Sequence, residues 1–179
     1  MIIEEKIPLL EAILAEWKGI IGHEYNGYRN HVYRMINFCF CLKPCSDEEK
    51  EKIIIAAAFH DIGIWIEDTI DYIPSSIPPA VEYLKKNNLE SWVNEISLMI
   101  SEHHKIREYA HEKYPLVEIF RKGDLVDFSL GLVKFGVPGS CLERVKEKFP
   151  NSGFHENLVK RAVKWFLRHP LNPVPMMKW

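Results

Sequence analysis

The most constraining stretch of the chain is Ile53-Ile54-Ile55-Ala56-Ala57-Ala58-Phe59, followed at once by His60-Asp61. Apolar residues in an unbroken run leave no face for water, so the element they form lies inside the molecule. Upstream, Ser46-Asp47-Glu48-Glu49 reads as a capping box, which makes that element a helix entering the core from the surface. A carboxylate at its inner end costs roughly several kcal/mol to bury unless a cation or strong donors compensate it. The adjacent histidine offers the same cation a second donor atom. A divalent metal satisfies both.

Helix signals dominate the rest of the chain, and strand alternation is nearly absent. The pattern predicts a first amphipathic helix from about Ile3 to Lys18, stopping at Gly19. A second follows Asn26-Gly27 and carries His31, Met35, Phe38 and Leu42 until Pro44 ends it. After Asp61, Gly63 loosens the chain. Ser76 caps a shorter helix with Pro78 and Pro79 in its first turn, ending around Asn87-Asn88. Further helices run from about Glu90 to Lys105, from Pro115 through Asp124, from a second capping box at Ser140-Cys141-Leu142-Glu143, and from about Phe154 to Arg168. The expected fold is an all-α, single-domain bundle over residues 1–179, with about seven or more helices and its polar site in the core. Irregular stretches around 66–77 and 106–115 read as the rim of that site rather than as linkers. The tail from Asn172 to Trp179 is not helical, and its apolar end predicts docking on the body or on a neighbour.

A chain of 179 residues can bury one sizeable core. Its net charge of −2, with acids and bases mixed throughout, gives no surface for a nucleic-acid polymer. No apolar run is long enough for a bilayer span, and Met1-Ile2-Ile3-Glu4-Glu5-Lys6 does not read as a signal peptide, so the expected location is cytoplasmic. Cys39, Cys41, Cys45 and Cys141 make neither a redox motif nor a disulfide framework and read as reduced thiols.

Spacing turns several polar residues inward. His31 projects from the same side as Met35, His60 shares a face with Ala56 and Ile53, and Asp124 follows Phe120 and Val117 on an apolar face. Each comes from a different helix, the way metal sites are built in bundle cores. The order His31, His60-Asp61, Asp124 resembles the HD superfamily of metal-dependent phosphohydrolases over about residues 25–130, with the helices and tail of 138–179 beyond it. The resemblance implies a divalent transition metal (Mn, Fe, Co, Ni or Zn) held by His31, His60, Asp61 and Asp124. It implies metal-activated water and a small phosphorylated substrate such as a nucleotide, with Asp61 assisting proton transfer.

His103 and His104 extend the pattern, His103 facing inward with Ile96 and Met99. Paired histidines recur in HD proteins, including branches that bind two metals. Those branches also carry a histidine in the intervening region, whereas residues 61–102 contain none and Ser75-Ser76 stands at about its place. One ion is therefore expected, with His103 or His104 reaching the substrate phosphate or the groups around the metal. Arg34 and Lys105 are further candidates for the substrate, and Arg29 and Arg107 for its rim. Glu24 and Tyr28 belong to a segment similar to one that closes over the metal in some HD proteins. Ile64 stands where two better-known branches place a glutamate or a lysine, so no branch is assigned. Glu67 and Asp68, about one helical turn further on, are the expected acid or base if the helix continues past Gly63. Two alternatives stay open: a metal- and nucleotide-binding sensor without turnover, and a di-iron oxygenase, which needs about six protein ligands. A homodimer is compatible with each.

Overall fold

A computed structural model of the chain describes residues 3–178. These residues form nine α-helices and two short 3-10 turns, with no strand among them. The first helix, α1 (Pro8–Ile21), starts later than the pattern predicts, because Pro8 fits a first turn where its missing N–H is no loss. It also passes through Gly19 and turns at Gly22 instead, where φ is 65°. Helix α2 (Tyr25–Leu42) is buried along most of its length.

Helix α3 (Asp47–Phe59) is the buried rod expected from its sequence. The Ser46 hydroxyl accepts the Glu49 N–H at 3.2 Å while the Glu49 carboxylate accepts the Ser46 N–H at 2.8 Å, completing the capping box. Every residue from Ile53 to Phe59 is buried, and the helix packs against α1 and α2 and against three later helices. Each large apolar side chain there contributes roughly 1.5–3 kcal/mol by leaving water.

The chain breaks at His60-Asp61-Ile62 before a short helix, α4 (Gly63–Glu67). The next helix, α5 (Ile73–Lys86), begins before the expected cap and takes Pro74 in its first turn, so Pro78 and Pro79 lie inside it. Ser76 is therefore not a cap. Its buried hydroxyl accepts the Gly63 N–H at 3.0 Å and ties α5 to α4. A Cβ on Gly63 would lie 2.2 Å from the Tyr72 carbonyl oxygen, so only glycine permits this approach. The contact sets Tyr72 beside the His60-Asp61 turn.

Helices α6 (Val93–Glu102) and α7 (Pro115–Phe128) complete the walls. Helix α7 packs on α2 at Gly123, where a Cβ would meet the Cys39 sulfur at 2.3 Å. Helix α8 (Gly139–Lys148) follows Pro138 with no side-chain cap, so the second capping box at Ser140 does not form. Because α8 lies against α2, Cys41 and Cys141 meet and form a disulfide across 100 residues, correcting the expectation of four thiols; Cys39 and Cys45 are free. Helix α9 (Phe154–Arg168) has its predicted bounds.

The tail docks, as expected. The Ile106 N–H donates to the Lys178 carbonyl at 2.8 Å, and Met176 is buried with Ile64, Ile70, Tyr72 and Ile73 in a second small core. Trp179, part of that expectation, lies outside the described residues. No helix among the described residues is long and apolar enough to cross a membrane.

Candidate metal centre

Three helices and one turn aim six polar side chains at one region of the core. His31 comes from α2, His60 and Asp61 from the turn after α3, His103 and His104 from the end of α6, and Asp124 from α7. All six are buried. The His31 Nε2 lies 3.5 Å from Asp61 Oδ2 and 3.6 Å from Asp124 Oδ1. The His60 Nε2 lies 3.3 Å and 3.7 Å from the same two oxygens, and 3.0 Å from His31 Nε2. The other carboxylate oxygens turn the opposite way. Asp61 Oδ1 is 3.4 Å from His103 Nε2, and Asp124 Oδ2 is 3.5 Å from His104 Nδ1. Two donor groups result, His31-His60-Asp61 and Asp61-His103-His104, each compact enough for one ion and sharing Asp61.

The hydrogen-bond partners decide which atoms face the centre. The His60 Nδ1 lies 2.8 Å from the Ala57 carbonyl and the His103 Nδ1 2.7 Å from the Ile100 carbonyl. A carbonyl only accepts, so both Nδ1 atoms carry the proton. His31 Nδ1 is likewise committed, 2.7 Å from Asp127 Oδ2. Neutral rings therefore present bare Nε2 lone pairs to two carboxylates. Asp61 Oδ1, Asp124 Oδ2 and His104 Nδ1 are moreover buried without a hydrogen-bond partner. A buried set of acceptors with no donor between them needs a cation. Left to protons alone, burial opposes charge on His60, but Asp61 and Asp124 outweigh it and lift the imidazole to about 10. Burial likewise works against the Asp61 carboxylate, yet His60 and the neighbouring histidines hold it well below the usual range. Burial and His103 push His104 down to about 3, so it stays neutral and ready to bind metal. Imidazole and carboxylate donors suit a divalent transition metal.

The sequence matches the family model of the HD domain over residues 28–128. That span contains every one of these six residues. The chain belongs to the HD-domain family. No curated protein and no solved structure matches it. Membership places this HD-domain protein in a superfamily of metal-dependent phosphohydrolases, and its buried donors can hold a metal.

Of the residues singled out by the sequence, His31, His60, Asp61 and Asp124 are brought together, and His103 and His104 lie against them in the same buried cluster. The other expected participants point elsewhere. Arg34 is buried against Asp127, with its Nη2 at 2.8 Å, and donates to the Phe149 carbonyl at 3.1 Å, so its guanidinium is turned to these partners. Lys105 places its ammonium 5.7 Å over the Tyr109 ring. Glu67 and Asp68 are exposed, because the helix that would have turned Asp68 inward breaks at residues 60–62 and Asp68 itself is left-handed, φ 46°. Arg29 binds Glu11, and Glu24 is held by Arg161 at 2.7 and 2.8 Å. Tyr28 is buried beside the cluster and donates to the Ala58 carbonyl at 3.0 Å.

Three contributors were missed. Tyr72 places its hydroxyl 2.8 Å from His104 Nε2, near the centre; no periodicity in its short loop announces this. Phe154 stacks on His31, ring centroids 4.2 Å apart. Asp127 orients His31 and is itself clamped by Arg34. Here a signal did exist: His31/Arg34 and Asp124/Asp127 repeat the same three-residue spacing on two packed helices. Replacing Arg34 by alanine leaves the buried Asp127 carboxylate without its guanidinium and with only the His31 ring beside it, with an expected loss of roughly 3–5 kcal/mol of stability. Urea unfolding measures it, and a loss below about 1 kcal/mol would show that water replaces the clamp.

Proposed function

We propose that this HD-domain protein hydrolyses a small phosphate ester, such as that of a nucleotide, with water as nucleophile. The observation that carries the reading is the buried, donor-free set of four histidines and two aspartates. Each aspartate divides its two oxygens between the two histidine pairs, which supports two adjacent ions in place of the single one expected from the missing histidine. A bound divalent ion lowers the pKa of a coordinated water and polarises a phosphoryl oxygen. The protein's own part is to hold the donors rigid: Asp127 and two main-chain carbonyls fix three imidazoles with Nε2 inward. Burial, reinforced by Asp61, raises the Tyr72 phenol well above its ordinary value and keeps it protonated. Its hydroxyl is then a donor for a phosphoryl oxygen or the leaving group, in place of the exposed Glu67 and Asp68.

The test is a panel of phosphate monoesters, diesters and nucleotides, each with Mn, Fe, Co, Ni and Zn, read as released phosphate or nucleoside. Turnover of at least one ester that vanishes on chelation is expected. Tight metal-dependent nucleotide binding in calorimetry without any product would replace the enzyme by a sensor. A second reading has one observation in its favour: six protein donors are also what a di-iron oxygenase requires. Two irons per chain with oxygen uptake on adding substrate would select it.

A further inference from the structure

Helix α9 carries Arg161, Lys164 and Arg168 on one flank, in a chain whose net charge is −2. That flank and the loop after α4 enclose a cavity of about 140 Å³, lined by Asp68, Thr69, Ile70, Arg161, Lys164 and Arg168, with Trp165 and His169 beside them. Basic residues in the last turns of a helix offset its dipole, which by itself needs no ligand. One further observation does need one. Arg161, a lining residue, gives both terminal nitrogens to Glu24, yet its Nε is buried with no hydrogen-bond partner. Asp68 is the one acid in the cavity, and it stops short: 3.9 Å from Arg161 Nε and 3.8 Å from Lys164, with its side chain 73% exposed. Ion pairs at that length are not hydrogen bonds.

We propose that this cavity is an anion site for a phosphate or phosphoryl group, bound by Arg161 Nε–H, Lys164 and Arg168, with Asp68 as its built-in competitor. The volume suits a phosphate-sized ion, and the orphaned Arg161 Nε–H calls for an acceptor oxygen that Asp68 does not deliver. The site stands apart from the metal centre, and none of its lining residues is among the six metal donors. It therefore does not rest on the phosphohydrolase reading.

Competition gives substitutions of opposite sign. Asp68→Asn removes the competing charge at a left-handed position that asparagine accepts. It should tighten phosphate binding roughly three- to tenfold, while Arg168→Glu should weaken it roughly tenfold or more. Calorimetry of the full chain with inorganic phosphate, as purified and again after chelation, reads both changes. Binding at the cavity persists after chelation, whereas phosphate held by the metal centre disappears. AMP as a second probe separates the sources: tighter binding than phosphate assigns the site to a nucleotide, equal binding to free phosphate, and either outcome supports an anion site. Phosphate binding that is lost on chelation, that neither substitution moves, or that is absent up to about 20 mM overturns the proposal.

Discussion

Replacing His60 or Asp61 by alanine is expected to lower turnover of any phosphate ester the protein hydrolyses by roughly 10³-fold or more. His60 supplies one of the inward Nε2 atoms, and Asp61 belongs to both compact donor groups. Losing Asp61 therefore impairs both ion positions at once, and its effect should equal or exceed that of His60. The helical fold should survive at low temperature, because α3 is anchored by its capping box and its buried face, with the two substituted residues lying just beyond its end. Phosphate release measured beside far-ultraviolet circular dichroism separates the two quantities. Activity that persists in both variants would move the chemistry away from this cluster, whatever the metal content.

Removing the metal should destabilise the protein, and more so as pH rises. With an ion bound, the converging lone pairs and carboxylates are satisfied; without it, His60 must take up a proton to sit beside Asp61 and Asp124. The folded imidazole is raised from 6.5 to about 10. Its proton therefore stabilises the stripped protein fully below about pH 6.5, and that contribution is lost as pH climbs through about 10. Metal binding runs in the opposite sense, since protons compete for the same nitrogens. The melting-temperature gap between loaded and chelated protein should be roughly 10 °C for an ion present far above its dissociation constant. It should widen between about pH 6.5 and pH 9.5. Thermal melts of the two forms across that range check the sign. A gap that narrows with pH would mean that protonated histidines, not a metal, are what the core was built to hold.

Much of this was legible in the chain because it follows from local rules. The capping box at Ser46, the solvent-free run Ile53–Phe59 and the bounds of α9 depend on residues within a few positions of one another. Inward spacing likewise picked out His31, His60 and Asp124, since helical periodicity alone states which way a side chain faces, and the cost of burying a carboxylate picked out Asp61. Packing decided the rest. Arg34 looked free for a phosphate until α2 met α7 and gave it Asp127. Whether Asp68 faced the metal hung on the turn at residues 60–62 and on the left-handed backbone of Asp68 itself. Tyr72 reaches His104 only because Gly63 lets two segments touch, and Cys41 finds Cys141 only because α8 lies on α2. Sequence determined which groups are buried and that a cation could join them. Only the tertiary structure determined the partners, because a burial pattern repeats with the helix while a contact depends on where two helices cross.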